Sequence, residues 1–250
     1  MRRLPRRYLS VDETVAYLKR TSQTTALVEG KDDQKVYRYI EDRLQDLDLD
    51  VLICEGRDGL LAVHRRRAEF AGAPVVFIAD RDMWYFTGVP HEYATSVLFT
   101  EGYSIENDLY VRDIFEALMS PEEQARFRAL IQQVARWQAF HVEQFVKTGN
   151  CSCDAHVSQI APHDVLCNDH LTSIGFVEPS AALISRIVDN YPHALRGKTL
   201  FQIVLRILSA TQRPSKFSRD NLIELGAKLS NPVIEGLCQR TRAALAPAAE

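Results

Sequence analysis

Short apolar runs rich in β-branched residues alternate with helix-period segments through the first part of this chain, and no other feature restricts its fold as much. Thr25 to Val28 makes the first run, Val51 to Cys54 the second, Val75 to Ala79 the strongest, and Ser96 to Phe99 a shorter fourth. Ser10-Val11-Asp12-Glu13 has capping-box spacing and opens a helix through Lys19. Val36, Ile40, Leu44 and Leu47 recur at the 3.6-residue period, with Asp32 or Asp33 placed to cap that helix. Gly59 to Phe70 carries Leu60, Leu61 and Val63, and Gly72 to Pro74 breaks it before the third run. Strands that alternate with helices need crossover connections, which are right-handed and cover both faces of a mostly parallel sheet.

The first half therefore reads as a Rossmann-like α/β domain, residues 1–110 with its core at about 20–110. Beyond Asn107 the strand signal fades, and helical patterns follow at 108–119, 121–147, 179–189, 198–210 and 219–245, the last broken by Pro232. Residues 111–250 are expected to form a helical domain or lid, with a polar Cys/His-rich linker at 148–172. A length of 250 residues and a 46% hydrophobic share suffice for one large core or two small ones. The net charge of −3 neither announces nor excludes a nucleic-acid partner. Five cysteines, an odd number, do not suggest a secreted disulfide framework, and a reducing cytoplasm fits them. MRRLPRRY is basic, but no apolar segment follows it and no run approaches the roughly 18 residues that span a bilayer, so neither a signal peptide nor a membrane association is expected.

The strand runs end on acids. Glu29 closes Thr-Thr-Ala-Leu-Val, Asp80-Arg81-Asp82 closes Val-Val-Phe-Ile-Ala, and Glu106 lies in Gly-Tyr-Ser-Ile-Glu-Asn. Parallel strands end in one crevice, where crowded carboxylates repel unless a divalent cation lies among them, so magnesium is the expected occupant. In extended geometry Asp80 and Asp82 would point to one side, leaving other magnesium positions to water and phosphate oxygens. Gly30 permits a tight turn into a helix N-terminus, a place for a phosphate, and Lys31 and Arg81 stand beside the acids to steady its charge. The plainer alternative makes Glu29 a solvated loop residue and Asp32 or Asp33 a helix cap.

The order Leu-Val-Glu-Gly-Lys-Asp-Asp, then Val-Val-Phe-Ile-Ala-Asp-Arg-Asp, then Tyr-Ser-Ile-Glu-Asn resembles the Toprim domain of topoisomerases, bacterial primases and overcoming-lysogenization-defect nucleases. It is most similar to small Toprim-like proteins of formerly unknown function, found alone or beside ABC-type ATPases in bacterial antiphage systems. The resemblance implies a nuclease using Mg2+ or Mn2+ on DNA or RNA, with Glu29 as acid or base and Asp80 and Asp82 as metal ligands. Lys31 would join Glu29 in catalysis, and Glu106 and Glu29 would stand among the metal acids. An ABC-type ATPase partner or a homodimer is also implied. Met83 and Trp84 replace the further acids of many Toprim domains, which leaves one or two metals open. Gly197-Lys198 resembles the helical tail of the same family. The alternative is a Toprim module that binds nucleic acid or a protein without chemistry.

Two further clusters remain. His64-Arg65-Arg66-Arg67 is either a phosphate contact or a solvated helix face. Cys151, Cys153, His156, His163, Cys167 and His170 could supply a tetrahedral zinc set or form an unmetallated loop, the Cys-x-Cys spacing being tighter than zinc sites usually use. No phosphate loop of the Walker type is present, so ATP hydrolysis would have to come from a partner.

Overall fold

The computed structural model describes residues 9–30 and 34–246. Lys31 and the expected cap at Asp32 or Asp33 lie outside the described residues. In chain order the elements are α1 (Val11–Leu18), β1 (Thr25–Val28), α2 (Gln34–Arg43), β2 (Asp50–Ile53), α3 (Gly56–Arg65), β3 (Val75–Ala79), α4 (Trp84–Thr87) and β4 (Leu98–Phe99). There follow α5 (Ile105–Leu109), α6 (Arg112–Ala117), α7 (Pro121–Thr148), α8 (Val157–Ile160), α9 (Asn168–Ser173) and α10 (Ala181–Asp189). The last are α11 (Tyr191–Ala194), α12 (Gly197–Leu208), α13 (Arg219–Lys228) and α14 (Pro232–Leu245).

The chain is α/β with a Rossmann-like, wholly parallel sheet in the order β2-β1-β3-β4. Burial explains the order. All four residues of β1 are buried and four of the five in β3, as the continuous apolar runs of central strands require, whereas β2 alternates buried and half-buried like an edge strand. Val28 stands opposite Ile53 on one side and Ile78 on the other, so β1 and β3 end side by side. The chain runs from β1 through α2 to β2, then returns through α3 past β1 to β3. Crossovers in opposite directions, each right-handed, put α2 and α3 on opposite faces. α3 packs on β1 and β3 and receives α1, while α14 packs on α2, β3 and β4.

The structure divides into two compact units that are not consecutive halves meeting at 110. The first joins the described residues up to Asp80, residues 90–100 and the described residues from Pro232 to Ala246; the second comprises 81–89 and 101–231. α14, read from sequence as the end of a helical tail, thus belongs to the α/β unit. Within that unit its Arg242 pairs with Asp46, and Glu235 pairs with Arg43 of α2.

In the helical unit, Ser120 and Glu123 cap α7 reciprocally, Pro121 opens it, and Gly149 ends it in the left-handed conformation at φ +73°. α12 packs against both α7 and α5 and buries Leu200, Phe201, Ile203, Val204, Ile207 and Leu208. Each such side chain contributes about 1.5–3 kcal/mol over its exposed state. Gly197 begins α12 because nothing larger fits there. A Cβ would stand 2.2 Å from Ser104 Oγ and 2.7 Å from Asn107 Oδ1. No described helix is long and apolar enough to cross a membrane.

Candidate active site

Glu29 and Asp80 follow the last residues of β1 and β3, the central pair of the sheet. In a 2-1-3-4 order the chain switches direction between those two strands, and their carboxyl ends border the crevice where open α/β sheets hold ligands. The backbone N–H of Asp80 donates to Glu29 Oε1 at 3.0 Å. Arg57 Nε reaches the same oxygen at 3.4 Å, and its Nη2 donates to the Asp80 carbonyl. Arg57 thereby clasps the two strand ends. It lies in the first turn of α3, placed there because Gly56, at φ +73°, turns the chain sharply after β2 and gives its N–H to the Glu29 carbonyl at 3.0 Å. Glu29 keeps 13% of its side-chain surface exposed, so it is accessible to water without being loose. Cys54 behind it is buried, and burial followed by the Glu29 charge pushes its thiol up to about 12, which leaves it a neutral, inert neighbour.

The other expected acids are placed differently. The strand ends at Ala79, and Asp82 takes φ +46°, so the extended geometry that would aim Asp80 and Asp82 alike does not continue through the pair. In the helical unit the Asp82 N–H donates to the Tyr103 carbonyl at 2.6 Å. Asp48 and Asp164 share the left-handed conformation, which aspartate tolerates better than most residues, so backbone geometry alone does not single Asp82 out. Arg81, half-buried, belongs to the same unit.

Glu106 closes no strand. It is the second residue of α5, is 1% exposed, and has both oxygens engaged: Arg219 Nη2 at 3.0 Å and Ser104 Oγ at 2.8 Å. The expectation of a strand-end acid there is corrected by the run Gly102-Tyr103-Ser104, after which Ser104 and Asn107 form a capping box and start a helix. Asn107 and Asp108 are equally buried and hold this turn, Asp108 accepting from the N–H groups of Glu101 and Gly102.

Among the described residues no group of three or more His, Cys, Asp or Glu side chains is arranged to hold a metal ion. Glu29 and Asp80 fit a different kind of site, in which magnesium takes one or two protein carboxylates and keeps water or phosphate at its other positions.

The linker residues have individual partners. Cys151 and Cys153 hydrogen-bond to each other with sulfurs 3.7 Å apart. His156 Nδ1 caps α8 by accepting from the Ser158 N–H, Cys167 stands before α9, and His163 is exposed. Trp137 Nε1 donates to His170 Nε2 at 3.2 Å. The basic run also separates. His64 is buried and bonds Ser96 Oγ at 2.8 Å, while Arg66 pairs with Asp12 and Glu69. Arg65 and Arg67 border an open cavity of about 620 Å3 floored by Phe70, Val75 and Phe77, near the amino end of β3 and away from Asp80.

His141 was not singled out by sequence. It meets Trp137 edge-on with ring centroids 4.4 Å apart, is 7% exposed, and its Nε2 finds no hydrogen-bond partner. Burial, then the neighbouring His170, lowers its pKa from 6.5 to about 4. A folded-state value below the unfolded one means that the unfolded chain binds the extra proton, so this stability is complete above 6.5 and is lost as pH falls toward 4. Unfolding in urea at pH 7 and pH 5 should show the wild type losing about 2 kcal/mol more than His141→Phe over that interval. Equal losses in the two proteins would exclude His141 as the source.

Arg57 was missed as well. Its only local signal is a cation one residue beyond the Glu55-Gly56 that ends the second strand, and its partners are 28 and 23 residues away. Neither a family model nor a curated protein matches this chain. Fold and site together define a Rossmann-like α/β protein with an acidic, arginine-clasped switch point.

Proposed function

We propose that the protein is a divalent-cation-dependent nuclease of the Toprim type, hydrolysing phosphodiester bonds in DNA or RNA. The observation that carries this reading is the pairing of Glu29 with Asp80 at the carboxyl ends of the two central strands. A bound Mg2+ or Mn2+ would neutralise charge on the phosphoryl oxygens and activate a water. Asp80 would supply a carboxylate to that cation. Glu29, oriented by the Asp80 N–H and Arg57, would take the proton from the attacking water, and the Arg57 guanidinium would face negative charge developing on the phosphate. The ligand roles of Asp82 and Glu106 rest on resemblance, and the reading is built on Glu29 and Asp80, which share one unit. The same resemblance points to a cytoplasmic antiphage effector, acting alone or controlled by a partner ABC-type ATPase, and to a homodimer as one assembly it allows.

A second reading has its own observation. A carboxylate between a guanidinium and a main-chain N–H is also a good structural clasp, as a non-catalytic module binding nucleic acid or a protein would keep. Cleavage of plasmid, single-stranded DNA, tRNA and total RNA, with and without Mg2+ or Mn2+, separates the two. Metal-dependent cleavage by the wild type that Asp80→Ala loses while still binding the substrate is the expected result. Binding without cleavage by every form would favour the module, and equal cleavage by both forms would reject this site.

A further inference from the structure

Cys151 and Cys153 flank Ser152 in a segment outside any helix or strand, residues 150–156. Their sulfurs, 3.7 Å apart, face each other in the helical unit. The two thiols differ in access: Cys151 is half-buried, while Cys153 beneath it is 7% exposed. A disulfide needs about 2.05 Å between sulfurs, so closing the gap asks for a small side-chain movement in a segment that no helix or strand holds rigid. An accessible thiol poised over a buried one is the arrangement of redox-responsive cysteine pairs. The remaining cysteines lack it, since Cys54 and Cys238 are buried singly and Cys167 stands before α9.

We propose that Cys151 and Cys153 form a thiol modification site that takes low-molecular-weight disulfides, with Cys151 as the attacking thiol and Cys153 as the resolving one. The inference is independent of the nuclease reading. Cys151 loses its proton and attacks one sulfur of the small disulfide, forming a mixed disulfide and expelling one thiolate. Cys153 then loses its proton to solvent, attacks Cys151 Sγ and expels the second thiolate, which leaves a Cys151–Cys153 disulfide. One small disulfide is reduced to two thiols, and the two protein thiols are oxidised.

The surroundings suit those roles. Accepting the Cys153 S–H holds the Cys151 thiol below its usual range, although burial and the charges of Asp82 and Asp154 oppose this. Cys153 is pushed up by that same bond and by burial, so it waits protonated until the mixed disulfide forms. Arg196, which pairs with Asp154 at 2.8 Å, brings positive charge toward Cys153 and eases its later deprotonation.

The test is incubation of the full-length protein with oxidised glutathione in the presence of a chelator, followed by peptide mass mapping. Wild type should end with Cys151 and Cys153 linked and little glutathione retained. Cys153→Ser should accumulate glutathione on Cys151, and Cys151→Ser should be modified at Cys153 at least about tenfold more slowly than Cys151 is in Cys153→Ser. A wild type whose end product is glutathione on Cys151, or whose pair stays unmodified while Cys167 reacts, would overturn the proposal. The wild-type map decides the matter even if a variant fails to fold.

Discussion

Glu29→Gln is expected to lower metal-dependent phosphodiester cleavage by about 10²–10⁴-fold, the range that a positioned general base contributes. Glutamine keeps the shape and can still accept the Asp80 N–H through its carbonyl, so the strand-end geometry should survive. What it removes is the proton-accepting charge. Nucleic-acid affinity should change little, because the substitution adds no repulsion toward phosphate. Single-turnover rates with saturating Mg2+, measured beside equilibrium binding, separate loss of chemistry from loss of substrate. Arg57→Ala should act through the same carboxylate by freeing its orientation, with a smaller loss of about tenfold. A Glu29→Gln protein that cleaves at the wild-type rate would remove Glu29 from the mechanism.

Asn107→Leu should destabilise the helical unit by about 4 kcal/mol, the largest stability effect expected of a single substitution here. Asn107 is fully buried and spends its whole hydrogen-bonding capacity. Nδ2 donates to the carbonyls of Pro192 and Leu195 at 2.7 and 2.8 Å, while Oδ1 accepts from Ser104 N at 2.9 Å and lies 3.1 Å from Ser104 Oγ, which shares its one proton with Glu106. Leucine has nearly the same shape, yet it strands two carbonyls and an N–H away from water, and each stranded group costs about 1–3 kcal/mol. Urea unfolding followed by circular dichroism reads the change, and a loss below about 1 kcal/mol would mean that water replaces the amide.

Both residues bear on how far this chain can be understood from its sequence. Thr25–Val28 and Val75–Ala79 are strands over the residues expected, because continuous apolar runs mark central parallel strands wherever they occur. Ser10 caps as its spacing predicts, and Pro232 divides the last two helices. The fourth strand shrinks from Ser96–Phe99 to Leu98–Phe99, since an edge strand with one partner gains less from pairing. That Glu29 and Asp80 stand at strand ends was legible because each directly follows such a run. Glu106 was misread because its motif looks like a strand end until the Ser104–Asn107 capping box is recognised.

The sequence by itself determined the two central strands, the Ser10 cap, the parallel α/β class and the acids at the two central strand ends, since these follow from side-chain periodicity and from contacts within about four residues. Only the tertiary structure decided that Arg57 clasps Glu29 to Asp80, that Arg219 neutralises a buried Glu106 across 113 residues, and that α14 returns to cover the sheet. Partners that far apart are chosen by topology and burial. A buried carboxylate must find a cation somewhere, but no local pattern says which turn of the chain will bring one.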